Sequence, residues 1–460
     1  MINEVALHER VLAMKFEVLK QSHLKRNIMI GVVVVLIISA IVLNFTRAKY
    51  RTTQSIPLVN GTINYSLADL NIVAITVDGE ASDTIPEGNY ELTDNSYCTV
   101  DGEEDSNISI SYEADTQLLT VTPFTTKGTK CYLDFKKATT RPVETTLLGT
   151  INVNLDTPDF SKTSCTSKTY NGTARTCREE TVGIYEETTS KGTTYYYRGD
   201  VENNYLVFAN KYWRIIRINE DGTLRIIYSG EKSTVDAAGK ETVLANGYND
   251  GSTDYTQTQT SAFNSSYNQS YYVGYTYQTD AQRPSTQNGG TASTIKGILD
   301  TWYSNNLSSY DSKIASGGSA GFCNDRNTRS GDNWVSSGTT FYYAAYERRS
   351  NGTPSFECSN TLDLYTAKTG LITADEVMYA GAAGTTTNYG YYLYTGNNYW
   401  TMSPYYFRSN GYAIVFLVAS NGGFGSNNVG NEYGVRPVIN IASNVTITGS
   451  GTISDPYIVN

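Results

Sequence analysis

The first apolar pattern in the chain has a helical period. Leu7, Val11, Met14 and Val18 follow 4-3-4 spacing, with Val5, Leu12 and Leu19 beside them, which predicts an amphipathic helix over residues 2–24. Such a helix can lie on a membrane or lead into one, and residues 5–19 also offer a short self-association seam. An uncharged run follows, "IMIGVVVVLIISAIVL" at 28–43, extended by Asn44-Phe45. It sits at the short end of the ~17–25 residues that span a bilayer and is expected to be an anchor over 28–45, preceded by a cytoplasmic segment 1–27. Residues 46–55, "TRAKYRTTQS", read as a polar stem.

Beyond the stem the apolar period changes to two. "NIVAITVDG" alternates and closes on Asp-Gly; "ISISYEADTQLLTVTPF" reads as two strands around a polar turn; "GTKCYLDFKK" is a further strand. Residues 56–138 are therefore expected to form a β-sandwich-like domain. Residues 139–180 are Thr-rich with Pro142 and Pro158 and read as a linker. The linker carries "CTSKTYNGTARTC", a hairpin signal centred on Asn171-Gly172.

The last segment, 181–460, is strand-rich. "YWRIIRI" and "TLRIIYSG" flank an Asp221-Gly222 turn. Ile295, Leu299, Trp302 and Tyr303 share one face of a predicted amphipathic helix. Thr373 and Glu376 make a capping-box signature before a short helix. The closing strands are "GYAIVFLVA" and "GVRPVINI". Between them lies "SNGGFGSNNVGNE", 420–432, an Asn/Gly tract expected to be a displayed loop. Arg198-Gly199-Asp200 falls between strands and is not read as a recognition motif. Arg436, inside the closing strand, is expected to be structural and to need a buried partner.

Composition sharpens this picture. The chain of 460 residues holds 38 tyrosines and a formal charge of −10. No basic surface suits nucleic acid, whereas Tyr with Ser, Gly and Asn is the chemistry of binding loops. Positive charges are nearly balanced across the apolar run, Lys25 and Arg26 against Arg47, Lys49 and Arg51, so charge alone does not orient it. All six cysteines, Cys98, Cys131, Cys165, Cys177, Cys323 and Cys358, follow the run, which points to disulfides outside the cell and an N-terminus inside. A signal peptide is disfavoured by the long polar lead and the lack of an A-x-A site. Candidate pairs are Cys98 with Cys131, Cys165 with Cys177, and Cys323 with Cys358, although six cysteines allow fifteen pairings.

Both histidines, His8 and His23, precede the anchor. A Ser-His-Asp triad, a Cys-His pair and a His-ligated metal are thereby excluded from the segment beyond it. No cofactor and no metal is expected. Asp363, Asp375 and Glu376 remain as carboxylates for a glycosidase, but nothing in their spacing selects them. "DNWV" at 332–335 stands without the triplets of calcium-dependent sugar sites.

At "YWTMSP" (399–404), "GVRPVI" (434–439) and "GLITADEV" (370–377) the chain resembles a family of bacterial surface proteins, mostly from Firmicutes and mollicute-like relatives. "GTISDPYIV" at the end also occurs in such proteins. Their C-terminal domain is similar to the C-type-lectin-like fold of formylglycine-generating enzymes and of the variable proteins of diversity-generating retroelements. The resemblance implies an α+β domain over 181–460 in which a Trp-containing strand and a closing G-[FV]-R-P strand bracket the ligand surface. The expected ligand contacts are the aromatic and amide side chains that offer stacking area and directional hydrogen bonds, with one arginine: Trp400, Tyr405, Tyr406, Arg408, Asn421, Phe424, Asn427, Asn431 and Tyr433, of which Trp400 reads equally as core. Asn421, Asn427, Asn428 and Asn431 would be diversified positions in retroelement-linked members. The closely spaced late cysteine pair of formylglycine-generating enzymes is missing, so that activity is not expected. The expected function is a membrane-anchored extracellular protein that recognises a glycan or protein ligand; a structural spacer or adhesion component and a glycan-processing enzyme are the alternatives.

Overall fold

The computed structural model describes residues 70–114, 117–123, 128–165, 168–170, 173–175, 181–231, 257–286 and 288–460. The predicted helix 2–24, the apolar segment 28–45 and the stem 46–55 lie outside the described residues. Among the described residues no helix is long and apolar enough to cross a membrane. The protein is mainly β, with few helices. It divides into two compact units between Ala138 and Thr139.

In the first unit the central strand is Thr129–Lys137, which pairs in parallel with Leu70–Val77 and antiparallel with Tyr97–Val100 and Tyr90–Leu92. Its period of two turns Cys131, Leu133 and Phe135 inward. Asp78 and Gly79, at φ of 51° and 85°, make the tight turn to strand Glu80–Ser82, the left-handed pair that a two-residue hairpin requires. A separate hairpin, Ser109–Glu113 with Leu118–Thr122, contributes Leu119 and Val121 to the same core. Cys98 and Cys131 stand directly opposite each other on neighbouring strands and are bridged, with Cα atoms 4.1 Å apart.

Among the described residues the second unit holds two large sheets, beside small two-stranded ones, over one large core that includes the fully buried Trp213 and Trp400. The Asp221-Gly222 hairpin, Lys211–Ile218 with Leu224–Glu231, lies inside the larger sheet. Residues 139–154 correct the linker reading. Thr140–Thr145 and Gly149–Asn154 pair antiparallel, and the second of them joins the larger sheet beside Gly183–Thr189. Pro142 is tolerated because its strand ends the sheet, where no ladder N–H is needed on the outer side. Lys168–Tyr170 pairs with Thr173–Arg175 around Asn171-Gly172, whose own positions lie outside the described residues. Cys165 is disulfide-bonded; Cys177 lies outside the described residues. Cys323 and Cys358 are bridged.

The second sheet is built on Tyr399–Arg408, followed by Tyr412–Val418 and the edge strand Phe424–Asn428. Within "GVRPVI" the chain leaves this sheet at Glu432–Val435 and enters the larger one as Val438–Ile441, against Leu224–Glu231. Arg436 is buried at that crossing. Its Nη2 donates to Tyr228 O at 3.0 Å and its Nη1 to Leu393 O at 3.3 Å, while Tyr228 N donates to Pro437 O at 2.9 Å. Arg436 thereby satisfies carbonyls where two sheets part, and its charge stacks over the Tyr399 ring.

Three α-helices flank the sheets among the described residues, beside short 3-10 turns. α1, Thr294–Asn306, is capped by Ser293 and buries Ile295 and Leu299. α2, Ala344–Asn351, ends at Gly352, whose φ of 67° is the left-handed stop that glycine supplies. α3, Ala374–Ala380, begins with the Thr373–Glu376 capping box and is buried along its whole length.

Candidate functional site

The three carboxylates open to a glycosidase reading are each consumed by an arginine. Arg326 reaches buried Asp363 with Nε at 2.8 Å and Nη2 at 2.7 Å. Arg348 holds Asp375. Glu376 closes its own helix cap, accepting from Thr373 N at 2.9 Å, and pairs with Arg225. A cavity lies against Asp375 and Glu376, walled also by Arg217, Glu220, Arg225 and Phe356, but it offers only about 40 Å³, room for a few waters and no sugar. Among the described residues no His, Cys, Asp or Glu cluster could hold a metal ion. Arg198, the first residue of "RGD", is buried and donates to Met378 O at 2.8 Å.

The ligand candidates separate into three groups. Trp400 and Phe424 are core: Trp400 has no exposed surface and donates Nε1 to Ser261 O at 2.8 Å, and Phe424 packs on Phe416. Neither can touch a ligand, which corrects the expectation for both. A tryptophan in a half-buried strand looks the same in sequence whether it faces the core or solvent.

The Asn/Gly tract is also not a loop throughout. Ser420 to Gly423 make a turn, and Phe424–Asn428 is a paired strand. Its glycines answer to packing. A Cβ on Gly422, at φ +78°, would fall 1.8 Å from Asn388 O, and one on Gly425 would fall 2.5 Å from Leu417 Cδ1. Asn421 is half-buried and fixes the turn, accepting from Gly423 N at 3.0 Å. Asn427 donates to the Tyr433 hydroxyl, and Asn431 Nδ2 donates to Asn427 Oδ1 at 2.8 Å. Tyr433 rests edge-on against Trp400, with centroids 5.0 Å apart. These amides are committed to one another.

Tyr405, Tyr406 and Arg408 come together at the surface. Pro404 pairs with Val415 and Tyr406 with Ile414, so Tyr405 is one residue too many for its partner strand. That bulge re-aims the side chain, and the Tyr405 and Tyr406 rings meet at 4.7 Å. Sequence reasoning missed their neighbours. Tyr342, from strand Phe341–Tyr342, stacks on Tyr406 at 5.4 Å and meets Tyr346 of α2 at 4.2 Å. Their signal was "FYYAAYERR", a tyrosine cluster with two arginines, in which Tyr342 ends a strand and Tyr346 lies four residues on in the first turn of α2. Arg329 lies 4.7 Å from the Tyr342 centroid, Arg349 5.3 Å from Tyr346 and Arg408 5.3 Å from Tyr406. Burial pushes the Tyr405 hydroxyl pKa up, against the pull of Arg349, so it stays a neutral donor. Between Thr340, Tyr342, Tyr406 and Arg408 runs an open groove of about 480 Å³, within the ~300–1,000 Å³ of small-ligand sites.

No family model, curated protein or solved structure matches this chain.

Proposed function

We propose that this is a bacterial cell-surface recognition protein, anchored in the membrane by residues 28–45, with its N-terminus inside and residues 46–460 outside. It binds a glycan or protein ligand without processing it. The observation that carries this reading is the groove at Tyr405 and Tyr406. Four half-exposed tyrosines flanked by arginines give rigid stacking area with hydroxyl and guanidinium donors. The carboxylates considered for an enzyme are paired with arginines, Asp375 and Glu376 beside a small cavity and Asp363 buried apart from it.

We read residues 181–460 as a C-type-lectin-like domain, to which the strands at 140–154 add an extension, and residues 56–138 as a small β-sandwich. The crossing of "GVRPVI" between two sheets, with Arg436 satisfying carbonyls at the crossing, favours the first assignment. The sheet-and-hairpin core around Phe135 favours the second. The bridges Cys98–Cys131 and Cys323–Cys358 support an oxidising compartment.

The test is capture of ligands by the full-length protein from a panel of glycans, cell-wall fragments and surface-protein extracts, with and without calcium. Saturable binding that falls at least tenfold in Tyr405→Ala/Tyr406→Ala supports recognition. A flat panel from folded protein favours a structural spacer.

A further inference from the structure

The row of aromatic side chains continues past Arg408. The strand pairing places Tyr406 opposite Ile414 and Arg408 opposite Tyr412. Side chains two apart share a face, so Tyr406, Arg408 and Tyr412 point the same way. Tyr342, opposite Tyr406 on the other side, continues the row. Tyr267 lies flat on Tyr412, with centroids 5.6 Å apart and planes 7° apart. This pair is unusually open to solvent, Tyr267 at 42% and Tyr412 at 37%. The row crosses three neighbouring strands, about 10 Å at the ~4.8 Å strand spacing, before it reaches Tyr267. That is longer than one sugar ring.

Charge selects among polymers that could lie along such a row. Arg329 is neutralised by Asp332 at 3.0 Å. Arg408 is exposed, contacts the Tyr406 hydroxyl, and has no carboxylate partner among the described residues. Arg349 also has none, and its Nε is buried without a hydrogen bond. The face therefore presents the guanidinium of Arg408 without a carboxylate partner beside its aromatic platforms, in a chain whose formal charge is −10. A net-negative protein repels polyanions at long range, so any polyanion that binds does so through a local site.

We propose that this face binds an anionic glycan chain, with sugars stacked on Tyr406 and on the Tyr267–Tyr412 pair and an acidic group held by Arg408. The inference rests on the recognition reading and narrows its ligand class. An exposed arginine at a hairpin end can be replaced without touching the core, so its loss reads on binding rather than folding.

The experiment compares full-length protein binding to dextran, carboxymethyl-dextran, dextran sulfate and polygalacturonate over a range of salt. The first three differ only in their charged groups; the carboxylate and sulfate polymers distinguish the kind of acid. The expected result is that at least one anionic polymer binds tenfold or more tightly than dextran and weakens with salt. Arg408→Gln then lowers that affinity several-fold while Arg408→Lys retains part of it, and Tyr267→Ala/Tyr412→Ala lowers it with an unchanged melting curve. Equal binding of dextran and its charged forms overturns the anionic assignment and leaves recognition standing, as does capture of a protein ligand with no polymer bound. Undiminished anionic binding in Arg408→Gln overturns the assignment of the site.

Discussion

Arg348 grips Asp375 with two parallel hydrogen bonds, Nε to Oδ1 at 2.6 Å and Nη2 to Oδ2 at 2.8 Å, and spends its remaining nitrogen on Asp325 Oδ2 at 2.8 Å. The pair ties α2 to the buried α3. Burial favours an uncharged Arg348, but Asp375 and Asp325 raise its pKa and keep it charged. Removing one partner strands the others, which costs ~3–5 kcal/mol at a buried pair. Arg348→Met is therefore expected to lower unfolding stability by that order in urea denaturation. A change below about 1 kcal/mol would mean the pair behaves as a surface ion pair.

The same reasoning gives a pH dependence at Glu220. Burial pushes its carboxyl pKa up, but Arg217, 3.6 Å away, and hydrogen bonds outweigh burial, and the folded pKa lies below the ordinary 4.5. A carboxylate with a depressed folded pKa contributes stability that is complete above its unfolded pKa and is lost as pH falls through the folded one. Glu220→Gln is expected to be less stable than the parent at neutral pH and to lose less stability on moving to about pH 3. Denaturation midpoints at the two pH values check this; parallel losses in both proteins would refute it.

Trp400 and Tyr405 stand five residues apart and should behave as opposites. Trp400 is fully buried and hydrogen-bonded, so Trp400→Ala should cost about 3–5 kcal/mol and lose binding through unfolding. Tyr405 is half-buried at the groove, so Tyr405→Ala should lower binding with a smaller loss of stability. Circular dichroism beside the binding assay separates the two.

The Cys98–Cys131 bridge closes a separation of 33 residues in the first unit, worth roughly 3–4 kcal/mol on the chain-entropy account. Cys98→Ala/Cys131→Ala should unfold that unit at lower denaturant, as limited proteolysis of residues 70–138 would report. Unchanged protease resistance would count against it.

How much of this was legible in the sequence depended on whether a signal was local. The Asp-Gly turns, the Ile295/Leu299 helix face and the Thr373–Glu376 cap were readable because each needs only neighbours a few residues away. Trp400 was misplaced because its strand is covered on both faces over Tyr399–Pro404, where period-two alternation gives no hint of the second layer, and Phe424 because it is the one buried residue of an otherwise half-exposed edge strand. The strands at 140–154 were hidden by Pro142 and by a run of threonines, which suit an edge strand as well as a connector. Tyr342 and Tyr346 escaped notice because the bulge and the helix bring them to Tyr405 from some sixty residues away. The Asn/Gly tract was overvalued, since its glycines serve close packing and its amides serve one another.

The most direct measurement is saturable binding of the full-length protein to the panel of glycans, cell-wall fragments and surface-protein extracts, run beside Tyr405→Ala/Tyr406→Ala. The account predicts capture of one ligand class and at least a tenfold loss in the double variant, with the variant still folded by circular dichroism. Capture that is undiminished in a folded double variant, or no capture at all by the folded parent, would contradict it.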